Sequence, residues 1–166
     1  AMNLTPSALY AILESCDARR LSSLRKVVLG GEAITAVRLT EFARACPQVQ
    51  IINNYGPTES TDVASVCTLP GADELARGPQ IPIGRALPNM RLYILDAYGE
   101  PVPTGVSGEL YLGGIGVARG YLHRPELTAQ RFVADAFSDI PGARAYRTGD
   151  LARYRRDGQI EFQGRN

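Results

Sequence analysis

The sequence predicts an α/β fold in two portions: a β-α-β portion over residues 1–78, and a strand-rich portion over 79–166 that reads as a small distorted β-barrel of α+β character. Three observations carry this. The first portion alternates β-rich runs with helical spacing, as in LRKVVL, TEFARAC and VQII. The second strings short strands between Gly, Pro and Asp. The polar, turn-rich run PGADELARGPQ lies between them and reads as a linker or long loop.

Taken in order, TPSALYAILESC is an amphipathic helix, with Thr5 to cap it, Pro6 at its first position, and Leu9, Ile12 and Leu13 at helical spacing. Lys26 to Leu29 is a strand, stopped by Gly30-Gly31. Thr35 then caps a second helix, which aligns Leu39, Phe42, Ala43 and Cys46 and ends at Pro47. Val49 to Asn53 is the next strand. Strand, helix and strand in succession imply parallel pairing. In the second portion, Arg91–Leu95, Glu109–Leu112, Tyr146–Arg155 and Gln159–Gln163 read as strands, with a tight Asp157-Gly158 hairpin turn and one short helix near Glu126 to Phe132.

Composition narrows the function. Lys and Arg number 18 against 17 Asp and Glu, so the broad basic field that nucleic acid or an anionic membrane requires is absent. A small-molecule or protein partner is expected. No apolar run approaches the ~20 residues that span a bilayer, and no signal peptide is evident, so a cytoplasmic setting is expected. Cys16, Cys46 and Cys67 form no CxxC pair and His123 is the only histidine, a pattern of reduced thiols rather than a structural zinc site.

The chemistry concentrates in NNYGPTES. In open parallel sheets, ligands bind beyond the carboxyl ends of the strands, where both GGE and NNYGPTE fall. Paired glycines let the backbone approach a flat ligand, Tyr55 can line a wall, and Thr58 and Glu59 can meet a phosphate and its metal. The alternative is that Gly56-Pro57 only turns the chain and Thr58 or Glu59 only caps that turn. GGIGVARGY is a poor dinucleotide fingerprint: its glycines follow GxGxxxG rather than GxGxxG, and YLHRP after it starts no helix. His123, beside Pro125 and without a Ser or Cys nucleophile motif, reads as a loop residue.

In this order and spacing, INNYGPTES, GELYLGGIGVARGYLHRPELTAQRFV and YRTGDLARYRRDGQIEFQGR resemble consecutive core motifs of nonribosomal peptide synthetase adenylation domains, members of the wider adenylate-forming superfamily. The resemblance covers nearly the whole chain. It implies that residues 1–78 are part of the large α/β adenylation subdomain and that 79–166 are its barrel. It further implies formation of aminoacyl-AMP from an amino acid and ATP, then loading of a phosphopantetheine thiol on a carrier domain. By the same resemblance, Asn53 bonds the adenine amino group, Tyr55 packs on the ring, and Gly31 lines that slot. Thr58 meets the α-phosphate, and Glu59 holds Mg2+. Asp150 accepts both ribose hydroxyls, Phe162 lies near the nucleoside, and Arg165 lies near ribose and phosphate.

The carbonyl of Gly56 would help hold the substrate's α-amino group, and Asn3, Val28, Gly30, Asn54, Asp62 and Val63 fall at side-chain pocket positions. If Asp62 faces that pocket, a polar or basic substrate is favoured, since an unpaired carboxylate is costly there; if it faces solvent, nothing follows. The partners implied are the amino acid substrate, the rest of the adenylation domain, and peptidyl carrier and condensation domains. The family's phosphate loop and its catalytic lysine lie outside these 166 residues, so the isolated chain is expected to be inactive. An acyl-CoA or aryl acid ligase of the same superfamily, or a non-catalytic docking subdomain, are the competing readings.

Overall fold

The structure is a computed structural model and describes residues 1–78 and 80–166; Pro79, in the run read as a linker, lies outside the described residues. The chain opens with a short strand, β1 (Met2–Leu4), and then α1 (Pro6–Ser15), whose N-cap Thr5 accepts from the Ala8 N–H. Next come β2 (Lys26–Leu29), α2 (Ala36–Ala45) and β3 (Gln50–Tyr55). β1 pairs with β2, and β2 with β3, both in parallel. The single expected β-α-β unit is therefore two in succession. Right-handed crossovers in one direction put both helices on the same face. Leu9, Leu39 and Phe42 pack there on Val27, Leu29 and Ile51.

Thr35 stands at the N-cap of α2, but its side chain makes no capping bond. The Tyr10 hydroxyl does that work through the backbone: it receives the Thr35 N–H at 3.2 Å and donates to the Thr35 carbonyl at 3.3 Å, tying the start of α2 to α1.

β4 (Ser65–Thr68) runs antiparallel to β3 and was not anticipated. The expected loop after it contains a helix, α3 (Ala72–Arg77). Its turn formers sit at its ends: Gly71 is the N-cap and Gly78 the C-cap, Asp73 and Glu74 fall in the first turn, and Arg77 falls in the last. Those charges complement the helix dipole. Leu75, 6% exposed, joins the core under α2. Leu75→Ala is expected to destabilise the protein by about 2–5 kcal/mol in urea unfolding, the range for a buried leucine truncation; no change would mean that α3 is not docked.

A two-residue strand, β5 (Arg85–Ala86), completes the first sheet in the order β1-β2-β3-β4-β5. The second sheet comprises β6 (Met90–Leu95), β7 (Gly108–Gly114), β8 (Phe132–Ala134), β9 (Arg144–Tyr154) and β10 (Ile160–Arg165), all antiparallel. One edge of β9 pairs with β7; the other is shared by β8 and then β10. Irregularities between Glu109 and Tyr111, and between Phe162 and Gly164, bend these long strands, so the distorted barrel is a curled half-barrel.

The short helix is α4 (Pro125–Arg131). The hairpin between β9 and β10 has a three-residue loop: Arg155 and Gln159 close it, and Gly158 at φ 77 takes the left-handed position. Ile94, Leu110, Leu112, Phe132 and Ile160 fill the core of this half, with Ala64 and Ile83 packed in from the first. Among the described residues no helix is long and apolar enough to cross a membrane. Cys46 and Cys67 are buried thiols and Cys16 is half-buried.

Candidate active site

At the carboxyl ends of β2 and β3 the two sheets enclose a cavity of about 440 Å3. Gly31, Asn53, Asn54, Tyr55 and Gly56 line it from the first sheet, and Asp150, Phe162 and Arg165 from β9 and β10. Ile81 and Ile83 add an apolar wall. Gly31 has φ +80, a conformation that side chains rarely adopt.

Asn53 is buried, and its amide donates to the Pro82 carbonyl at 2.7 Å. That bond fixes the amide and reserves its oxygen for an incoming N–H. Tyr55 and Phe162 lie side by side, with ring centroids 6.2 Å apart and planes tilted by 37°. They offer a flat ligand an aromatic edge.

The polar end of the cavity is a three-residue network. The Tyr55 hydroxyl donates to Asp150 Oδ2 at 2.5 Å, and Arg165 Nε donates to Oδ1 at 3.0 Å. Burial, and then the hydrogen bond to Asp150, push the Tyr55 phenol far above its ordinary value, so it is a neutral donor. Asp150 is itself only 6% exposed. Its two oxygens are already engaged, but each retains room for a second donor.

Thr58 and Glu59 do not line the cavity. They lie on the loop joining β3 to β4, in a 3-10 turn (Thr58–Ser60) that follows Pro57. Thr58 is exposed. Glu59 is half-buried, and its Oε1 accepts from the Tyr121 hydroxyl at 2.6 Å. Burial would push this carboxyl up, but bonds from Tyr121, its own N–H and Tyr146, with the charge of Arg165, outweigh it, and the net shift is downward. The guanidinium that pairs with Asp150 is therefore also felt by Glu59.

This loop is held where it is by glycines and by the second sheet. A Cβ on Gly56 would fall 2.6 Å from Ala64 N and from Asp62 O, so the chain closes on itself only over a glycine. Thr61 and Asp62 both have positive φ, 61° and 72°. The Thr61 hydroxyl donates to the Gly116 carbonyl at 2.7 Å, and the Ala118 N–H donates to the Glu59 carbonyl at 2.8 Å. Contrary to expectation, YLHRP does lead into a helix, since Pro125 opens α4; GGIGVARGY itself clamps the GPTES loop. His123 beyond it is exposed in a left-handed turn.

Asn3, Val28 and Gly30 lie off the cavity. Register places Asn3 beside Val28, and Val28 beside Ile52, on the sheet face away from α1 and α2. Gly30 and Asn54 share that face one step further along. The Asn54 side chain lies over Gly30, where a Cβ would fall 1.5 Å from Asn54 Oδ1. Asp62 is exposed and Val63 half-buried, and neither touches the cavity.

Several residues here escaped sequence reasoning. Glu32, in GGE, accepts from the N–H and the hydroxyl of Ser7 at 3.0 and 2.9 Å, so its carboxylate caps the start of α1. Gln80 donates to the Phe162 carbonyl at 2.7 Å. Tyr121 stood inside a motif rejected as a nucleotide fingerprint, and its aromatic hydroxyl was the available signal.

The fit to a divalent cation can be read from the donor set. Among the described residues no three His, Cys, Asp or Glu side chains converge. Glu59 offers one ionised carboxylate, a hard oxygen donor. That suits Mg2+, which keeps its waters and binds through one or two carboxylates and a ligand's phosphates.

A model of the AMP-binding enzyme family matches residues 1–122. Malpinin synthetase of Mortierella alpina is 45% identical over 157 residues, which cover 94% of this chain and 2% of that protein. PA1221, a nonribosomal peptide synthetase protein containing adenylation and PCP domains, superposes with a TM-score of 0.86 at 32% identity, over 99% of this chain and 32% of that one. The NpsA N-terminal subdomain of Klebsiella oxytoca, solved in complex with 3-hydroxybenzoyl-AMSN, gives a TM-score of 0.84 at 28% identity, over 99% of this chain and 41% of that one. The chain thus spans a small fraction of its curated relatives and under half of its structural neighbours.

Proposed function

Because this chain belongs to the AMP-binding enzyme family, with nonribosomal peptide synthetase adenylation domains as its relatives and neighbours, we propose that it is the nucleotide-binding part of a domain that condenses an amino acid with ATP to aminoacyl-AMP and then loads a phosphopantetheinyl carrier in the cytoplasm. The observation that carries this reading is the cavity in which Asn53, Tyr55, Asp150, Phe162 and Arg165 converge from two sheets.

In this reading the fixed oxygen of Asn53 accepts from the adenine amino group, and Tyr55 and Phe162 flank the base. Asp150 takes the ribose hydroxyls as second donors on oxygens that Tyr55 and Arg165 already orient. Arg165, exposed and carrying its charge towards Glu59, is free to follow the phosphates. Thr58 meets the α-phosphate, and Glu59 would hold Mg2+, which supplies charge neutralisation at the phosphates. The Gly56 carbonyl and the face made by Asn3, Val28, Gly30 and Asn54 border the amino acid, with Asp62 and Val63 on the adjoining loop. The family's phosphate loop and lysine are not among these residues. The 166 residues alone are therefore expected to show no pyrophosphate exchange approaching that of the full-length protein, since even one stabilising donor is commonly worth about 10²–10³ in rate.

The 3-hydroxybenzoyl ligand of NpsA favours a second reading, an aryl acid in place of the amino acid. ATP–pyrophosphate exchange by the full-length protein, tested against the common amino acids and a panel of aryl and fatty acids, separates the two. Exchange with an amino acid alone supports the first. Preference for leucine or phenylalanine would remove Asp62 from substrate selection, and exchange with none would overturn both.

A further inference from the structure

We infer that Tyr121 is a positioning residue for the Glu59 carboxylate, engaging one oxygen so that the other is presented in a fixed direction to a divalent cation; this rests on the reading of Glu59 as that cation's ligand. The Tyr121 hydroxyl donates to Glu59 Oε1 at 2.6 Å. The Tyr121 and Tyr146 hydroxyls lie 3.4 Å apart, and the Tyr146 phenol also hydrogen-bonds the Glu59 carboxylate. Tyr121 thus holds Oε1 with Tyr146 beside it, and Oε2 would be the oxygen that holds a cation.

The holder is rigid. The Tyr121 N–H donates to Thr128 Oγ1 at 2.9 Å, and its ring stands edge-on to Phe132 with centroids 5.4 Å apart. Gly120, at φ 137, allows Thr128 this approach: a Cβ there would lie 2.4 Å from Thr128 Cγ2. Arg144 donates to the carbonyls of Ala118 and Arg119 at 3.1 and 2.8 Å, and the Ala118 N–H in turn holds the Glu59 backbone. All these groups belong to the second-sheet half, whereas Glu59 is on the β3–β4 loop. The curled sheet therefore fixes both ends of the Glu59 residue, its carbonyl and its carboxylate. A carboxylate held in this way pays less ordering entropy on binding metal, and such outer partners commonly govern affinity.

The test uses the full-length protein with Tyr121→Phe, which keeps the ring on Phe132 and removes the hydroxyl. Two readouts are needed: Mn2+ affinity of the protein–ATP complex by electron paramagnetic resonance, and the metal-concentration dependence of pyrophosphate exchange. Expected is metal binding weakened about tenfold, with exchange largely restored at saturating metal and an unchanged KM for the carboxylic acid substrate. A fold-stabilising role alone would shift the melting temperature and leave the metal dependence unmoved, which would overturn the proposal. Glu59→Gln is measured in parallel. If it loses Mn2+ affinity while Tyr121→Phe does not, the proposal fails and the reading of Glu59 stands; if Glu59→Gln binds Mn2+ normally, that reading fails as well. Should Tyr121→Phe not fold, Tyr146→Phe replaces it, with a smaller weakening in the same direction expected and unchanged Mn2+ affinity counting against the proposal.

Discussion

Asp150→Ala is expected to weaken ATP binding by the full-length protein by at least about tenfold, since each charge-assisted hydrogen bond to a ribose hydroxyl is worth ~1.5–3 kcal/mol and about 1.4 kcal/mol is one decade. The network makes the effect larger than the lost contacts alone. Without Asp150, the Tyr55 hydroxyl loses its acceptor and Arg165 loses the partner that directs it towards the cavity. Tyr55 is mostly buried, so its orphaned hydroxyl is expected to cost a further ~1–3 kcal/mol of stability. Asp150→Asn separates the two contributions, because it keeps the shape and one acceptor. Calorimetric ATP affinity and thermal unfolding, measured on both variants, form the test. ATP affinity unchanged in Asp150→Ala would remove Asp150 from the site, whatever happened to stability.

Glu59→Gln is expected to lower the rate of adenylate formation by about 10²–10³, the range for removing one group that stabilises charge in the transition state. Glutamine keeps the length and still accepts from Tyr121, so the loop should stay folded and only the charge is lost. The carboxyl sits below its ordinary range, hence ionised at neutral pH and suited to a hard cation. Pyrophosphate exchange at saturating Mg2+ measures the effect. A rate equal to that of the unmutated protein would show that the cation is held without Glu59.

The elements legible in the sequence were those whose hydrophobic period is long enough to read alone. Leu9, Ile12 and Leu13 announced α1, and Leu39, Phe42 and Ala43 announced α2, because each helix buries one face and its spacing must repeat. Lys26–Leu29 was read to the residue. The strands missed, β1, β4, β5 and β8, are two to four residues long. β1, β5 and β8 are too short to show alternation, and β4, as long as β2, lacks the apolar run and glycine stop that mark Lys26–Leu29; all four exist because a neighbouring strand supplies hydrogen bonds. α3 was hidden for the opposite reason: its caps and charged turns look like loop composition, and only Leu75 under α2 makes the segment a helix.

By itself, the sequence determined the α/β class, the order of the principal elements and the chemistry available at NNYGPTES and RTGD, because these depend on local spacing and residue type. Only the tertiary structure decided that Tyr55 spends its hydroxyl on Asp150, that Arg165 shares that carboxylate, and that Tyr121 holds Glu59. Arg165 meets Asp150 as its cross-strand neighbour in the β9–β10 hairpin, whereas the Tyr55–Asp150 and Tyr121–Glu59 contacts join residues 95 and 62 apart in the chain. Their partners are selected by the docking of the curled sheet against the parallel one, where burial makes an unpaired hydroxyl or carboxylate costly, and no local pattern in the sequence encodes which distant group will meet it.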